Sequence, residues 1–407
     1  MGTQFLDIKD PLIAKDLISS NFYKYYACKW EEIPLEDSYG RVVFEDIYSV
    51  IDFPPFNRAL KDGFAIKSED SFSASEENPK SVKIIDSLEA GDHSDKTVEL
   101  GTCVEISTGA PLPEGADAVI MVEYTQKDQD NVELYDSVTP TQDVAVSGSD
   151  VKKDTLLLKK GVVLTADKIG VLAAQGFHTV KVYKKPTCAV ISTGNELTDL
   201  KDKELKPSKI YDVNSTMIKN AIVSCGAIGV NDGIVRDDYD NLKSNILNSL
   251  KNHDILICSG GTSAGVGDVL KHVLDEIGEV KLHGIAVQPG KPTIFGIVNN
   301  KIVIGLPGNP VSAIIIFYVF FAPLLMELVG LKEERLKTVK AKLTKRIHSP
   351  IGREQYQLIS FNDGKAEPIF KDSGAIFSLA RADGYVNVGK NVEIVDEGEI
   401  VEVRLFN

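Results

Sequence analysis

The stretch DILICSGGTSAGVGDVLKHVLDEIG, residues 254–278, decides the fold of this chain. It begins with a continuous apolar run, continues through a glycine-rich loop, and ends with apolar residues at helical spacing. An apolar run without polar alternation is typical of a strand that is covered on both faces. A strand, a loop and a helix in this order indicate one unit of a parallel sheet with helices on both sides.

Segments of the same kind lie on both sides of this stretch. Further strands are predicted for TCAVIST at 187–193, GVNDGIV at 229–235 and KIVIGLPG at 301–308. Further helices are predicted for MIKNAIVSCGA at 217–227 and DNLKSNILNSLKN at 240–252. The repeated pattern predicts an α/β domain over residues 186–330. Because ligands of such sheets bind beyond the carboxyl ends of the strands, we expect the loops TGNEL, SGGTSAGVGD and LPGNP at one rim.

The remainder of the chain predicts three further parts. Residues 1–52 together with 148–185 are expected to form a discontinuous helical and extended linking domain, with a β-rich module inserted at 53–147. Residues 331–407 are expected to form a small C-terminal β-domain. Short β-rich runs between Gly, Pro and Asp clusters indicate the two β parts. The predicted fold class is therefore multi-domain α/β plus β.

Composition limits the classes of function. The chain has 407 residues, of which 43% are hydrophobic and 26% are charged, values that exclude a collagen-like or mostly disordered chain. Lys and Arg total 45 against 59 Asp and Glu, and the net charge of −14 argues against binding nucleic acid through a broad basic surface. The five cysteines show no C-x-x-C spacing, so we expect buried reduced thiols rather than a zinc site or disulfides.

One apolar run, Ala313 to Val329, approaches the length that is needed to cross a membrane. Its internal Pro323 and Glu327 favour instead a helix that is buried in a core or between subunits, so no membrane contact is expected. The N-terminus lacks the pattern of a secretory signal, and the expected location is the cytoplasm.

The glycine-rich loop from Ser259 to Asp268 is a candidate phosphate site. Its glycines allow close backbone approach, and a helix that begins near Asp268 offers N–H groups and a positive dipole end. It has neither the P-loop nor the dinucleotide-binding spacing, and a plain capping turn is the alternative. Glu196, in the loop after the first strand, would share the rim with Asp268, and two carboxylates beside a phosphate site suit Mg²⁺.

Three more positions are candidates for chemistry. Ser312 falls in the first turn of the helix after a proline-stiffened loop, where N–H groups can bind an oxyanion. Lys291 lies between Pro and Gly in QPGKP, residues 288–292, which favours a fixed contact with an oxyanion over a solvated charge. Asp62 stands in an Asp-Gly turn among aromatic and proline residues, and a plain turn is the alternative.

These motifs, in this order, resemble the molybdopterin molybdenumtransferase family of the MoeA type, to which the E domain of gephyrin is related. The resemblance covers nearly the whole chain. It rests on the joint occurrence of PPF-x5-DGFA, STGAPLPEGADAVI, STGNEL, YDVNS, SGGTSAGVGD, PGKP and LPGNPVSA. It implies an α/β domain of the molybdopterin-binding type at 186–330.

The resemblance also implies an activity. The family takes adenylylated molybdopterin and molybdate as substrates, inserts the metal at the dithiolene and releases AMP with the molybdenum cofactor, with Mg²⁺ assisting. It implies a homodimer whose cleft lies between the β-module of one subunit and the α/β domain of the other. Expected partners are small anionic substrates and the molybdopterin adenylyltransferase. Two alternatives stay open: that adenylyltransferase activity itself, and a non-catalytic gephyrin-like scaffold.

Carried over residue by residue, the resemblance assigns roles to positions of this chain. The expected catalytic residues are Asp62, Thr108, Asp150, Glu196, Asp268 and Asp237, with Asp238 as the alternative to Asp237. The expected metal ligands are Glu196 and Asp268. The residues expected to bind pterin, molybdate or phosphate are Gly260, Gly261, Ser263, Gly265, Lys271, Lys291, Pro292, Pro307, Asn309, Ser312, Arg353 and Ser378.

Two segments depart from the family pattern. Gln288 stands where the family usually has the first lysine of Lys-Pro-Gly-Lys-Pro. The segment DVAVSGSD, residues 143–150, lacks the arginines that usually precede Asp150. Both departures remove positive charge near the predicted anion site. Lys271, which keeps the family spacing after Asp268, is the expected compensation.

Overall fold

A computed structural model describes residues 7–260, 267–331, 337–370 and 374–406, without the side chains of Gly267 and Asp268. The chain forms two compact units. The first unit consists of Met1–Glu32 and Lys181–Asn407, and the second unit is Ile33–Val180.

A six-stranded sheet forms the centre of the first unit, and four neighbouring strands are parallel, as predicted. In spatial order its strands are Ile228–Val235, Thr187–Thr193, Ile255–Ser259, Lys301–Leu306, Ile294–Val298 and Glu279–His283. The helices between and after them are Asn214–Ser224, Tyr239–Asn252, Gly267–Ile277 and Pro310–Ile316. Every residue of Ile255–Ser259 is buried, which explains the unbroken apolar run in its sequence.

One edge of this sheet is antiparallel, which the predicted parallel sheet did not include. Asn299 and Asn300 join Ile294–Val298 to Lys301–Leu306, and their φ angles are 50° and 59°. Two residues with positive φ form the tight turn of a hairpin, and asparagine tolerates this conformation. Because a two-residue connection cannot cross over to a parallel neighbour, the two strands pair in opposite directions.

The long apolar run is a core helix, as predicted. It consists of the α-helix Pro310–Ile316, the π-helical turn Phe317–Phe321 and the α-helix Ala322–Leu328. Within the described residues it is the one helix that is long and apolar enough to cross a membrane, but 83% of its apolar window is buried in the protein. The widened turn comes directly before Pro323, which has no N–H to donate.

A second sheet of the first unit closes into a small barrel. In order its strands are Glu354–Asn362, Lys365–Pro368, Thr338–Leu343, Ile400–Leu405 and Gly384–Val388, and the last pairs with the first. The two-residue strand Val287–Gln288 pairs in parallel with Glu354–Asn362. This pairing joins the segment before Lys291 to the barrel.

The other elements of the first unit are short, apart from the N-terminal helix Pro11–Tyr25, which Asp10 caps by accepting from the N–H of Leu12 at 3.0 Å. They are the strands Leu197–Thr198, Ile210–Tyr211, Ile347–His348 and Ile394–Val395 and the 3₁₀-helix Ile376–Arg381. Cys28 is exposed, so the prediction of buried thiols is wrong for this residue, and the other four cysteines are buried.

The second unit is built on another six-stranded sheet with apolar side chains on both faces. In order its strands are Ala118–Met121, Gly63–Ile66, Thr102–Ile106, Lys80–Leu88, Asn131–Leu134 and Thr125–Asp128. Its remaining elements are the strands Ile47–Tyr48, Arg58–Ala59, Val144–Ala145 and Leu156–Leu158, the helix Ala166–Ala174 and the 3₁₀-helices Leu35–Asp37, Ser68–Ser71 and Val122–Tyr124. The strands Trp30–Pro34 and Thr179–Tyr183 contain the points where the chain passes between units.

Gly290 provides a test of the packing between the segment before Lys291 and the core helix. Its φ is +109°, and a Cβ there would lie 2.3 Å from Cγ1 of Ile316. We expect Gly290→Ala to lower the free energy of unfolding by about 2–5 kcal/mol, through backbone strain and overpacking, in urea denaturation. The control Gly352→Ala, at a positive φ with nothing within 4 Å, should cost only the strain, about 1–2 kcal/mol. Equal losses would contradict the clash with Ile316.

Candidate active site

The first cavity of interest has a volume of about 720 Å³, in the range of small-molecule sites. It lies beyond the carboxyl ends of Thr187–Thr193 and Ile255–Ser259. Its described lining residues are Thr193, Glu196, Leu197, Leu205, Ile210, Tyr211, Asp212, Val213, Asn214, Asp237, Ser259, Gly260, Gly308, Asn309, Pro310, Gly374 and Ile376.

Strand register brings the loops around this cavity together. Ser192 is directly opposite Ser259 in the parallel pair, so both strands end at the same level. Gly260 then turns with a φ of +96°, and a Cβ there would lie 2.3 Å from the carbonyl oxygen of Thr193. Only glycine can lie this close to the carbonyl oxygen of Thr193, which explains why a glycine follows the strand Ile255–Ser259.

Two of the predicted catalytic carboxylates, Glu196 and Asp237, line this cavity. Burial raises the pKa of the Asp237 carboxyl above its ordinary value, the backbone N–H of Asn195 opposes the rise, and the charge of Glu196 adds to it. The backbone N–H of Ile210 donates to the carbonyl oxygen of Glu196 at 3.0 Å, which holds this loop at the rim. The two carboxylates are therefore close enough to repel each other.

The structure separates the roles of the neighbouring residues Asp237 and Asp238. Oδ2 of Asp238 accepts from the N–H of Asn241 at 2.9 Å, so Asp238 is the N-cap of the helix Tyr239–Asn252. Asp237 lines the cavity instead. Of the two alternatives in the sequence, Asp237 is the one placed at the candidate site.

No site residue was predicted within the motif YDVNS, residues 211–215, but four of its residues, Tyr211, Asp212, Val213 and Asn214, line the cavity. The carboxylate of Asp212 is buried and accepts from Oγ of Ser192 at 2.7 Å and from the N–H of Ser215 at 3.1 Å. Nδ2 of Asn214 donates to Oγ of Ser259 at 2.9 Å and to the carbonyl oxygen of Gly308 at 2.7 Å. The signal in the sequence was a pair of polar residues at the start of a predicted helix.

The polar groups of the first cavity are mainly acceptors. Its described lining includes three carboxylates but no lysine, arginine or histidine. No group of three or more His, Cys, Asp or Glu side chains that could hold a metal occurs in the described part of the chain. Two crowded carboxylates nevertheless fit Mg²⁺, which is commonly held by one or two carboxylates together with substrate phosphates.

A second cavity, of about 460 Å³, gathers most of the predicted oxyanion residues. Gln288 pairs in register with Gln355, which brings the QPGKP segment beside Arg353. Six predicted binding residues line it: Lys291, Pro292, Pro307, Asn309, Ser312 and Arg353. The lining also includes Gln288, Gln355 and Gln357, for which no binding role was predicted. Two cationic side chains and the buried Ser312 give it the opposite character to the first cavity.

The two cavities share one wall. Gly308 and Asn309 line both of them. These residues belong to the loop that follows the strand Lys301–Leu306 and precedes the core helix Pro310–Ile316. The proline-stiffened loop is therefore the element between a carboxylate-lined cavity and a cationic one.

In the second unit, Asp62 and Thr108 are brought together. Oδ1 of Asp62 accepts from the N–H of Thr108 at 2.7 Å and from its hydroxyl at 3.0 Å. The backbone N–H and then the hydroxyl hold the pKa of Asp62 below its ordinary value. Asp62 is therefore an exposed, ionised carboxylate with a fixed orientation.

The loop that carries Asp150 is tied to the same region of the second unit. The backbone N–H of Asp150 donates to the carbonyl oxygen of Phe53 at 3.1 Å, and the N–H of Ser147 donates to Oδ1 of Asn57 at 2.8 Å. The N–H of Leu112 donates to the carbonyl oxygen of Asn57 at 2.8 Å. Residues 53–57, which precede Asp62, therefore connect the loop that carries Asp150 with the loop that contains Thr108 and Leu112.

Comparison with known proteins agrees with this architecture. Three family models cover the chain: the MoeA N-terminal region (domain I and II) at residues 13–176, the probable molybdopterin binding domain at 189–327, and the MoeA C-terminal region (domain IV) at 340–406. A molybdopterin molybdenumtransferase of Staphylococcus epidermidis is 32% identical over 406 residues, 98% of this chain and 96% of that protein. The chain belongs to the molybdopterin molybdenumtransferase family.

Two further relatives support this membership. A Methanocaldococcus jannaschii protein named for molybdopterin biosynthesis is 36% identical over 93% of this chain and 92% of its own length. The crystal structure of a molybdopterin biosynthesis MoeA protein from Pyrococcus horikosii matches with a TM-score of 0.88 and 40% identity, over 98% of this chain and 100% of that chain. Membership of the family places the chain in molybdenum cofactor biosynthesis, and the fold is that of the family.

Other residues predicted from the family pattern lie apart from the two cavities or outside the described residues. Lys271 pairs with Asp275 one turn further along the helix Gly267–Ile277. The hydroxyl of Ser378 donates to the carbonyl oxygen of Ala375 at 2.7 Å, and Ser378 is not among the described residues that line either cavity. Gly261, Ser263, Gly265 and the side chain of Asp268 lie outside the described residues.

Asp62, Thr108 and Asp150 belong to the second unit, whereas Glu196 and Asp268 belong to the first. Their convergence on one cleft stays a prediction.

The raised pKa of Asp237, caused by burial and further by the charge of Glu196, predicts a pH effect on stability. The folded chain holds the proton of Asp237 more tightly than the unfolded chain, so the free energy of unfolding falls as the pH rises from 3.8 through the raised pKa. We expect Glu196→Gln to lower the pKa of Asp237 in a carboxyl NMR titration and to reduce this fall. The exposed Glu402 provides the control Glu402→Gln, which should leave the pKa of Asp237 unchanged.

The Asp62–Thr108 contact provides a second test by titration. Thr108→Val removes the hydroxyl but keeps the backbone N–H, so the pKa of Asp62 should rise only part of the way to its ordinary value. The pKa of Asp86, which Ser94 lowers in the same unit, should stay constant and serves as an internal control. A full return of the Asp62 pKa to its ordinary value would mean that the backbone contact contributes nothing.

Proposed function

We propose that this chain inserts molybdate into adenylylated molybdopterin and releases AMP and the molybdenum cofactor in a Mg²⁺-dependent step. Membership of the family supports the reaction class. The single observation that carries the proposal is the pair of cavities of opposite character that share Gly308 and Asn309. Such an arrangement suits two substrates of different chemistry that must meet.

The first cavity is the proposed site of the pterin nucleotide. Its volume of about 720 Å³ is large enough for part of such a molecule, and its carboxylates are acceptors that suit the N–H groups of a heterocycle. A pyrophosphate could not be neutralised by the described lining, because it contains no cationic side chain. We therefore propose that a cation bridges the carboxylates and the pyrophosphate.

Glu196 and Asp268 are the proposed ligands of Mg²⁺, and Asp237 is the third carboxylate that we propose for the site. The raised pKa of Asp237, to which Glu196 contributes, supports a site that favours a hard cation over two uncompensated charges. The bound cation would supply the charge that offsets the negative phosphates during their cleavage. The role of the protein is to orient these carboxylates and to hold the nucleotide against them.

The second cavity is the proposed molybdate site. Lys291 and Arg353 offer charged donors, and the buried Ser312 adds a hydroxyl in the first turn of a helix. The cleft residues Asp62, Thr108 and Asp150 are proposed to reach the site in a homodimer, in the cytoplasm. Asp62 would act there as an oriented carboxylate.

The test of this proposal is AMP release from adenylylated molybdopterin in the presence of molybdate and Mg²⁺. We expect AMP and molybdenum cofactor to form in equal amounts, and Glu196→Gln and Asp62→Asn to lower the rate by about 10²-fold or more while the fold is kept. A chain that releases no AMP, under conditions in which a family relative does, would overturn the proposal. AMP transfer from ATP to molybdopterin would instead favour the adenylyltransferase.

One observation favours a second candidate, a non-catalytic scaffold. Gln288 lines the second cavity, where the family pattern has a lysine, so one positive charge is lost. A scaffold would bind its partner equally well when Glu196→Gln is introduced, and molybdate would have no measurable affinity for it.

The charge of the second cavity gives a graded prediction for molybdate binding by calorimetry. Lys291→Gln and Arg353→Gln should each weaken binding about tenfold, because each removes a charged donor. Gln288→Lys should strengthen it by up to about tenfold, since it restores the missing charge. The control Lys345→Gln, at an exposed pair with Glu367 on the barrel, should change little. If all four substitutions changed the affinity for molybdate by the same factor, each in the direction of its charge change, binding would depend on net charge alone.

A further inference from the structure

The amide of Asn214 has an orientation that its neighbours fix. The carbonyl oxygen of Gly308 can only accept a hydrogen bond, and Nδ2 of Asn214 donates to it at 2.7 Å. The same nitrogen donates to Oγ of Ser259 at 2.9 Å. A flipped amide would place two acceptors against each other, so Oδ1 must be the atom that faces away from Gly308.

Oδ1 of Asn214 is buried and has no hydrogen-bond partner among the described residues. The residue is only 9% exposed and lines the first cavity. A buried acceptor without a donor costs about 1–3 kcal/mol, so a site that keeps one is expected to receive a donor from elsewhere. The acceptor is therefore fixed in place before any ligand arrives.

A hydroxyl at the same strand ends is held only weakly. Oγ1 of Thr193 is buried without a hydrogen bond of normal geometry among the described residues, although it lies near enough to Asp237 to oppose the rise of that pKa. Thr193 directly follows Ser192, the register partner of Ser259, so both unsatisfied atoms lie at the same strand ends. The unsatisfied Oδ1 of Asn214 therefore lies beside a hydroxyl that is itself only weakly held.

The rest of the cavity defines the chemistry of that ligand. Apolar side chains of Leu197, Leu205, Ile210, Val213 and Ile376 line it, next to the carboxylates and with no described cationic side chain. Apolar surface beside acceptor atoms suits a flat heterocycle that presents N–H groups at its edge. A bare phosphate would find no cationic side chain among the described residues of this lining and would meet three carboxylates.

We propose that Oδ1 of Asn214 accepts a hydrogen bond from an exocyclic amino group at the edge of a planar heterocycle and so selects rings that carry this group. This inference rests on the proposed function, because adenylylated molybdopterin carries two such rings, an amino-substituted pterin and an adenine. Both rings share the chemistry of an exocyclic amino group. Asn214 is then a specificity residue that contacts the substrate.

Two pairs of ligands distinguish the rings in calorimetry with the full chain. AMP is compared with purine riboside 5′-monophosphate, which lacks the amino group of adenine. Pterin-6-carboxylate is compared with lumazine-6-carboxylate, which has an oxo group in place of the pterin amino group. We expect the amino compound of one pair to bind at least about tenfold more tightly, since its absence leaves the buried acceptor unsatisfied.

Variants of Asn214 assign this preference to the residue. Asn214→Leu removes the acceptor and should reduce the preference to twofold or less. The control Asn220→Leu, at an exposed position of the same helix, should leave the preference unchanged. If Asn214→Leu does not fold, Asn214→Ser replaces it, because its shorter side chain withdraws the oxygen.

Three outcomes overturn the inference: equal affinities within both pairs, no binding of any of the four ligands, or a preference that persists in Asn214→Leu. AMP release by the wild-type chain without any preference would overturn the role of Asn214 and leave the proposed function standing. A preference that depends on Asn214, in a chain that releases no AMP, would support the role of Asn214 and overturn the proposed function.

Discussion

The parallel pairing of Thr187–Thr193 with Ile255–Ser259 is the constraint on which the candidate site depends. Five consecutive register positions, from Cys188 opposite Ile255 to Ser192 opposite Ser259, make both strands end at the same level. Both strands are buried in the sheet, so a slip of one residue would move every side chain to the wrong face. The loops that carry Glu196 and Gly260 therefore meet at one place because this register aligns the ends of the two strands.

Charge is separated around this rim. A chain with a net charge of −14 repels small anions on average, and the candidate oxyanion residues are concentrated in the second cavity. The first cavity retains the carboxylate of Asp237, whose pKa is raised by burial and further by the charge of Glu196, and a purely structural loop would avoid this cost. The wall at Gly308 and Asn309 keeps the two environments apart while leaving them adjacent.

Much of the α/β domain could be predicted from local pattern, and the failures have identifiable reasons. The apolar runs predicted the parallel strands, but the antiparallel edge was missed. Asn299-Asn300, between two apolar runs, is a recognised sequence signal for a hairpin and could have predicted this edge. Asp212 and Asn214 were missed because a polar pair at the start of a helix normally serves as a cap. Their role in the cavity depends on hydrogen bonds to residues far away in sequence, Ser192, Ser259 and Gly308.

The sequence by itself determined the strand and helix pattern of the α/β domain, the position of its loops at one rim, and the family, because apolar periodicity and motif spacing are local properties of the chain. Only the tertiary structure decided that Arg353 lies beside Lys291, since a two-residue strand pairing joins segments that are distant in sequence. It also decided that Asp237 lines the cavity while Asp238 caps a helix. Two neighbouring aspartates differ only in the direction of their side chains from the folded backbone. That direction is set by packing and not by residue type.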